Sequence, residues 1–332
     1  MAAIRTAVIG LGERTRPYIE SIRRNELFDL VAFGDPDPAL ARAQADACGV
    51  RGYEDCRSLI VETARQGLGL LLVCLDPPKS KDLLRLAIER DLTVLTCNPF
   101  VRCVAEGLEL IGAEDGKHLP LVVSQTWRYD PRLVRLGELT GAAAAPWLAD
   151  VAIRGDGRPA AGWGDRDACG GGVLLYAGLP WIEWLTRLFG IPKRVYAECA
   201  VAPPPGQPRN YDTEDVAAVS LRFARDSIAT LTLRRGAPPA APRVALTGVD
   251  RNIELLADRI VTTRADGNHE VWPVEPAQPG SDEIAAVGKC IHEGRLDTIT
   301  NALEHLAALS IVEAAYLSAR TGSPESPSEF MS

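Results

Sequence analysis

Residues 4–15, IRTAVIGLGERT, and residues 31–35, VAFGD, decide the fold of this chain. An apolar run enters a turn with two glycines, a helical segment follows, and a second apolar run ends at Asp35. Gly10 permits a sharp exit from the first strand, and Gly12 lets backbone amides approach a pyrophosphate at the positive end of the following helix. The stretch therefore predicts a β-α-β unit that binds a dinucleotide.

The residues around the two glycines refine this prediction. Asp35 ends the second strand, where a carboxylate accepts hydrogen bonds from both ribose hydroxyls and repels a 2′-phosphate, so NAD is favoured over NADP. Glu13, Arg14 and Thr15 complete the predicted cofactor-binding turn. Arg14 is interpreted either as a ligand of phosphate oxygens or as a solvated residue at a helix start. Thr15 takes the third small position, and its branched side chain supports the alternative, a Rossmann scaffold that holds no nucleotide.

The composition is that of a globular protein with enough apolar surface for two domains. The chain has 332 residues, of which 46% are hydrophobic. Its net charge of -8, without a basic stripe, predicts no nucleic-acid partner. The longest apolar run, residues 68–75, is too short to cross a bilayer, and the first strand leaves no room for a signal peptide. We therefore expect a cytoplasmic protein without a membrane partner.

Cysteine and histidine positions predict no metal site. Eight cysteines are scattered without a Cys-x-x-Cys pair or a histidine at zinc-ligand spacing, and we expect all of them to be reduced thiols. The histidines are predicted to be surface or structural residues: His118, His269, His292 and His305.

The order of apolar segments predicts two domains of different style. Residues 1–122 alternate helical segments with short apolar runs, such as 70–75 and 92–95, which favours a doubly wound Rossmann domain with a parallel sheet. Residues 123–332 carry a glycine run with a helix after it and then seven strand-like runs with little helix between them. This pattern predicts an α+β domain with a large, mostly antiparallel open sheet. A terminal helix of about 300–320 is expected at the domain junction, followed by a mobile tail.

Several motifs, in this order, resemble the Gfo/Idh/MocA oxidoreductases. They are the glycine turn, DPDP at 35–38, DPP at 76–78, CNP at 97–99, WRYDP at 127–131, the triple glycine at 170–172 with its helix, EDV at 214–216 and YLSARTG at 316–322. The resemblance implies an NAD(P)-binding domain, with Asp76, Pro77 and Asn98 also at the cofactor. It implies a sheet that walls the substrate cleft and pairs subunits into a homodimer or homotetramer. The implied substrate is a small molecule, a sugar, cyclitol or related polyol.

The sequence departs from the family pattern at the positions that hold the family's catalytic residues. The resemblance implies a catalytic lysine in a Glu-Lys-Pro motif and an Asp/His pair in the helix after the triple glycine. Here the lysine position holds Asn98, the aspartate position Tyr176, the histidine position Pro180 and a second acid position Glu183. Neither asparagine nor proline transfers a proton near neutral pH. The usual acid-base set is therefore absent.

A rearranged site is the remaining route to catalysis. Tyr176 is the candidate proton donor, because a nearby cation lowers the pKa of a phenol, and Lys81 and Arg128 are the candidate cations. Asn98 and Arg128 are the further catalytic candidates. The alternative interpretation is that Tyr176 fills the space left by the missing pair. The residues predicted to line the substrate cleft are Lys81, Trp127, Trp163, Pro180 and Glu183; indole rings also stack on sugars.

Three functions remain open from the sequence. The first is an NAD-linked dehydrogenase of a sugar, cyclitol or polyol that uses the rearranged site. The second is a catalytically inactive, regulatory member of the same family that binds a nucleotide or another ligand. The third, supported only by Thr15, is a structural partner that binds no nucleotide.

Overall fold

The computed structural model describes residues 2–112, 121–141, 147–155, 164–203, 210–274, 278–295, 299 and 302–331. The chain divides into two compact units. Unit 1 comprises residues 1–101, 106–129 and 278–302, and unit 2 comprises residues 102–105, 130–277 and 303–332. The sequence boundary at 122 differs from this division in three respects: residues 102–105 belong to unit 2, unit 1 continues to Tyr129, and a segment near the C-terminus returns to unit 1.

Unit 1 is built on a parallel sheet of six strands in the order β3-β2-β1-β4-β5-β6. The strands are β1 (Ile4–Ile9), β2 (Phe28–Gly34), β3 (Arg51–Tyr53), β4 (Leu70–Val73), β5 (Val94–Thr96) and β6 (Leu121–Val123). The first helices are α1 (Arg16–Arg24), α2 (Pro38–Cys48), α3 (Cys56–Arg65), α4 (Pro77–Glu89) and α5 (Val104–Gly112). The reversal of strand order between β1 and β4 makes this a doubly wound Rossmann sheet, as predicted.

Buried strands explain why the short apolar runs form this sheet. Every residue of β4 is at most 1% exposed, as expected of a parallel strand that is covered on both faces. Asp37 and Asp55 are the N-cap residues of α2 and α3. Each carboxylate accepts hydrogen bonds from backbone N–H groups of the first helical turn. Strand burial and helix capping therefore together stabilise the alternating strands and helices that the sequence predicts.

Unit 2 contains the helices α6 (Pro131–Thr140), α7 (Arg166–Cys169) and α8 (Leu179–Phe189), with a π-helical turn, Leu174–Gly178, directly before α8. Its eight-stranded sheet has the order β14-β13-β12-β11-β7-β10-β9-β8. The strands are β7 (Leu148–Gly155), β8 (Arg194–Ala200), β9 (Val216–Arg222), β10 (Ile228–Arg235), β11 (Ala240–Thr247), β12 (Arg251–Leu255), β13 (Arg259–Arg264) and β14 (His269–Pro273). Only the β7–β10 pair is parallel among the described strand pairs of this sheet. The prediction of a large, mostly antiparallel sheet is confirmed.

The returning helix, α9 (Pro279–His292), is held in unit 1 by a buried carboxylate. Glu283 accepts hydrogen bonds from the hydroxyls of Tyr18 and Ser124, each at 2.7 Å, and from the backbone N–H of Gln125 at 2.6 Å. Three donors satisfy the charge of a carboxylate that is only 2% exposed. Helix α9 therefore belongs to the nucleotide-binding unit, although the sequence pattern groups it with the second domain.

The last helix, α10 (Ala302–Thr321), is long and apolar enough by composition to cross a membrane, and 61% of its most apolar window is buried inside the structure. Beyond it, the backbone of Glu325 exchanges two 2.8 Å hydrogen bonds with Val195 of β8. A 3-10 turn, Pro327–Phe330, follows. The expectation of a mobile tail is therefore wrong, because backbone pairing fixes the segment on the sheet.

Candidate nucleotide-binding and catalytic residues

The glycine turn after β1 has two glycines with different physical roles. Gly10 has a φ of 88°, and a Cβ atom there would lie 2.4 Å from the carbonyl oxygen of Cys74. Only glycine fits this position without moving the backbone. At Gly12, no described heavy atom lies within 4 Å of the place that a Cβ would occupy. The space over Gly12 therefore permits the close backbone approach that a pyrophosphate requires.

The start of the helix after this turn differs from the predicted pattern. Residues Glu13–Thr15 form a 3-10 turn, and α1 begins only at Arg16. Thr15 is completely buried, and its Oγ1 has no hydrogen-bond partner among the described residues. The branched side chain is thus accommodated inside unit 1, where the extra 3-10 turn separates the glycines from α1.

Asp35 lies directly beside the glycine turn. Its Oδ2 accepts the backbone N–H of Leu11 at 2.7 Å, and its Oδ1 accepts the backbone N–H of Asp37 at 2.8 Å. A carboxylate has about four acceptor positions, so each oxygen keeps capacity for one more donor. These two hydrogen bonds from backbone N–H groups orient the carboxylate at the end of β2. In this position it can accept hydrogen bonds from the hydroxyls of a bound ribose.

Arg14 and Asp76, both predicted at the cofactor, contact each other. Arg14 Nη2 lies 2.5 Å from Asp76 Oδ1, and the two side chains are 46% and 25% exposed. Pro77 follows as the first residue of α4, where its missing N–H leaves no hydrogen bond unmade. The ends of β1, β2 and β4 thus bring Gly10, Asp35 and Asp76 to one edge of the sheet.

A disulfide at the same edge corrects the expectation that all eight cysteines are reduced. Cys74 and Cys97 are bonded, with their Cα atoms 5.0 Å apart. Each cysteine directly follows a paired strand residue, because Val73 of β4 is in register with Thr96 of β5. Strand register therefore brings together two residues that are 23 positions apart in the chain. Asn98 comes next and forms a cis peptide bond with Pro99.

Three more predicted residues lie in unit 1. Trp127 is 9% exposed, and the guanidinium of Arg128 lies 5.0 Å from the centre of its ring. Lys81 Nζ is 2.9 Å from Glu109 Oε2 and 3.9 Å from Glu106 Oε1. The hydrogen bond from Lys81 lowers the pKa of the Glu109 carboxyl. Carboxylates of α5 therefore balance the charge of Lys81.

In unit 2, the triple glycine forms a tightly packed loop around Glu214. Both carboxylate oxygens of Glu214 accept the N–H of Gly172, at 2.9 and 3.1 Å, and Oε1 also accepts the N–H of Leu174 at 2.9 Å. The hydroxyl of Tyr316 donates to Oε1 and the guanidinium of Arg166 to Oε2, both at 2.9 Å. This carboxylate fixes the loop that leads to Tyr176.

Tyr176 lies in the π-helical turn after this loop and is half-buried. Its hydroxyl donates to the carbonyl oxygen of Cys169 at 2.9 Å, and its backbone N–H donates to the carbonyl oxygen of Gly172 at 3.1 Å. Pro180 is the second residue of α8. Trp163, the remaining predicted cleft residue, lies outside the described residues, as does His118.

Comparison with known proteins gives the family. Residues 4–125 match the model described as "Oxidoreductase family, NAD-binding Rossmann fold", and residues 124–254 match the GFO/IDH/MocA C-terminal domain. The chain belongs to the Gfo/Idh/MocA family. The resemblance seen in the sequence is confirmed, and with it an NAD-binding Rossmann domain.

Individual proteins are similar to this chain over nearly its whole length. D-apiose dehydrogenase from Paraburkholderia graminis is 24% identical, covering 95% of this chain and 88% of that protein. An oxidoreductase from Agrobacterium radiobacter, solved with NAD+, L-tartaric acid and magnesium, has a TM-score of 0.84 at 16% identity and covers 99% of both chains. Aldose-aldose oxidoreductase from Caulobacter crescentus, complexed with glycerol, has a TM-score of 0.82 at 20% identity, covering 98% of this chain and 100% of that one. The two solved structures show that the fold is shared.

One pair in this Gfo/Idh/MocA chain was not predicted from the sequence. Glu183 Oε1 lies 2.7 Å from His305 Nδ1, and the two residues are 4% and 0% exposed. The sequence singled out Glu183, but its partner is 122 positions away on α10. The pair joins α8 to α10 inside unit 2.

Proposed function

We propose that this Gfo/Idh/MocA oxidoreductase is an NAD-dependent dehydrogenase that oxidises a hydroxyl of a sugar, cyclitol or related polyol. The observation that carries the proposal is the Asp35 carboxylate, which the N–H of Leu11 holds beside the glycine turn. An orienting bond of this kind serves recognition of a ribose. The relative named D-apiose dehydrogenase supports the sugar-like class of substrate.

The residues of unit 1 fit a dinucleotide. Open space over Gly12 accommodates a pyrophosphate, and Asp35 retains acceptor capacity for ribose hydroxyls. When bound, NAD supplies the hydride acceptor for oxidation of the alcohol. The protein must then remove the hydroxyl proton and orient the reacting oxygen. We propose that the Asn98 amide and the Arg128 guanidinium orient the oxygen and that the Tyr176 phenol moves the proton.

The choice of NAD over NADP is tested by Asp35→Ser. Removing the carboxylate takes away two charge-assisted hydrogen bonds to the ribose and the repulsion of a 2′-phosphate. We expect the ratio of NAD to NADP affinity to fall by about 100-fold, because only the bond to the 2′-hydroxyl distinguishes the two nucleotides and it contributes about 1.5–3 kcal/mol. Titration calorimetry with both nucleotides measures this ratio.

The matched control for this test is Asp37→Ser. Asp37 begins α2 and accepts the N–H groups of Ala39 and Leu40, and serine caps a helix nearly as well as aspartate. The affinity ratio of this control should equal that of the wild type. A wild-type protein that prefers NADP would contradict the assignment of Asp35.

The role of the phenol is tested by Tyr176→Phe. If Tyr176 moves the proton, its loss should lower kcat by about 100-fold or more, while NAD affinity stays within about twofold. The control is Tyr196→Phe, since the Tyr196 side chain is exposed on β8 and its hydroxyl donates to Glu198 Oε1 of the same strand at 2.9 Å. Steady-state rates of NADH formation on a panel of aldoses and polyols provide the measurement. Equal rates of the wild type and Tyr176→Phe would refute the role.

A specific observation favours a second function. The Tyr176 hydroxyl donates to the carbonyl oxygen of Cys169, an arrangement that serves packing as well as chemistry. With Asn98 and Pro180 in place of proton carriers, this arrangement supports a regulatory member of the family that binds NAD without turnover. That function predicts saturable NAD binding and no NADH formation with any substrate of the panel.

Assembly and location complete the proposal. We propose that the sheet of unit 2 pairs copies of this chain into a homodimer or homotetramer and that the protein is cytoplasmic, with neither a nucleic acid nor a membrane as partner. The acidic composition, a net charge of -8, supports the absence of a nucleic-acid partner. Light scattering of the purified protein measures the assembly state.

A further inference from the structure

We propose that Cys74 and Cys97 are a reversible thiol–disulfide modification site that reacts with small disulfides and sets the affinity of the glycine turn for NAD. The coupling to NAD rests on the proposed function, whereas the thiol chemistry does not. Two observations carry the proposal: the bond between the two cysteines, and the contact of Cys74 with Gly10.

The disulfide joins two strand ends that carry predicted cofactor residues. Cys74 lies two positions before Asp76, and Cys97 lies one position before Asn98. The N–H of Cys97 donates to the carbonyl oxygen of Val73 at 3.1 Å, so the strands are already paired up to the cross-link. The bond therefore adds little to strand pairing and acts on the loops that follow the two strands.

Cys74 also contacts the glycine turn directly. Its N–H donates to the carbonyl oxygen of Ile9 at 2.8 Å, and its own carbonyl oxygen lies where Gly10 leaves no room for a Cβ. A shift of the Cys74 backbone is thus transmitted to Gly10. When the disulfide opens, the two sulfur atoms separate from about 2 Å to about 3.5–4 Å. Because Cys74 and Cys97 are only 6% and 7% exposed, a strand end must move to provide this space.

The reaction is a two-step thiol–disulfide exchange. The thiolate of one cysteine attacks a sulfur of a small disulfide such as oxidised glutathione, which forms a mixed disulfide and releases one thiolate. The second protein thiolate then attacks the protein sulfur of the mixed disulfide, forms the Cys74–Cys97 bond and releases the second thiolate. The protein loses two electrons and two protons, and the small disulfide becomes two thiols.

What distinguishes Cys74 and Cys97 is that each has a partner cysteine within bonding distance, whereas six further cysteines are free. Two of these free thiols also have strongly raised pKa values. Burial raises the pKa of the Cys56 thiol to about 11 and that of the Cys199 thiol to about 12. A thiol with such a pKa carries almost no thiolate at neutral pH and exchanges slowly. In the part of the chain that the structure describes, Cys74 and Cys97 form the one disulfide.

The first experiment counts thiols without any nucleotide. The 332-residue protein is equilibrated in buffers that contain reduced and oxidised glutathione at a series of ratios. It is then quenched in acid, denatured and alkylated, and mass spectrometry gives the number of labelled cysteines. We expect six labelled cysteines in oxidising buffers and all eight in reducing buffers, with a midpoint inside the series. Eight labels in the most oxidising buffer, or six in the most reducing buffer, would overturn the modification site.

The second experiment measures NAD affinity of the two forms by calorimetry. We expect the reduced form to bind about fivefold more weakly, because the opened edge must be ordered again on binding. If oxidation raises NAD affinity by about fivefold, NAD must favour oxidation by the same factor. Saturating NAD should therefore change the equilibrium constant for disulfide formation, measured from the midpoint of the first experiment, by about fivefold. Cys97→Ser should bind like the reduced wild type in every buffer, and the control Cys48→Ser should respond like the wild type.

The outcomes separate the two proposals. Equal NAD affinity of the oxidised and reduced forms overturns the coupling while leaving the proposed function intact. Absence of NAD binding in both forms overturns the proposed function and the coupling together, and the thiol count still tests the modification site.

Discussion

Gly10→Ala should unfold more easily than the wild type by about 2–5 kcal/mol and lose NAD affinity by more than about 100-fold. The positive φ of 88° costs alanine conformational energy, and its Cβ would meet the Cys74 carbonyl oxygen at 2.4 Å. That oxygen belongs to backbone at the end of β4, so relief requires the sheet edge to move. Urea denaturation gives the free energy of unfolding, and calorimetry gives the affinity.

Gly12→Ala is the matched control, because it adds the same methyl group two residues later. Gly12 has a φ of -71°, which any residue adopts, and no described heavy atom lies within 4 Å of the added carbon. We expect its stability to stay within about 0.5 kcal/mol of the wild type. Its NAD affinity should still fall by at least about tenfold, because the methyl group occupies the space of the pyrophosphate. Wild-type NAD affinity in this variant would contradict nucleotide binding at the turn.

The different roles of Gly10 and Gly12 illustrate the part of the site that a short stretch of sequence is enough to predict. The glycine spacing and Asp35 lie within one β-α-β unit, so periodicity and turn chemistry suffice to predict them. Continuous apolar runs likewise predict buried parallel strands such as β4. The family motifs then extend the prediction to both domains.

Contacts between segments that lie far apart in the chain could not be predicted from the sequence. Helix α9 returns to unit 1 through Glu283, whose partners Tyr18 and Ser124 are 265 and 159 positions away. The sequence predicts a helix over about 282–292 that contains Glu283, but it does not indicate which carboxylate the fold buries. The Cys74–Cys97 disulfide was missed for a related reason, since it depends on the register of β4 against β5, which hydrophobic patterns do not set.

The sequence also identified Glu214 only as the start of a strand. In the structure, its carboxylate is 1% exposed and is the acceptor around which the triple-glycine loop folds. The signal was present as the EDV motif at 214–216, but its meaning required the loop from 170 to 174 to be placed beside it. The role of Glu214 leads to the second large expected effect.

Glu214→Ala should destabilise the protein by about 3–5 kcal/mol, because it removes the acceptor of several buried donors, each of which costs about 1–3 kcal/mol when left unsatisfied. The substitution leaves the N–H groups of Gly172 and Leu174 without their acceptor and leaves Arg166 Nη2 without the carboxylate at 2.9 Å. Burial and the charge of Glu214 raise the pKa of Tyr316, which keeps its hydroxyl protonated as a donor to that carboxylate. Denaturation in urea measures the loss, and Glu198→Ala on the exposed face of β8 should change stability by less than about 0.5 kcal/mol.

Two milder variants separate the charge of Glu214 from its hydrogen bonds. Tyr316→Phe removes one neutral donor and should cost about 1 kcal/mol, whereas Glu214→Gln keeps one acceptor oxygen but turns an amide toward Arg166, which should cost about 1.5–3 kcal/mol. The double variant should be less unstable than the sum of the two, because the Tyr316 hydroxyl loses a weaker hydrogen bond when its acceptor is a neutral amide than when it is a carboxylate. Additive losses, or a Glu214→Ala variant as stable as the wild type, would contradict the role of this carboxylate. Since the N–H of Tyr176 bonds to Gly172, any variant that loosens the loop should also displace the phenol on which turnover is proposed to depend.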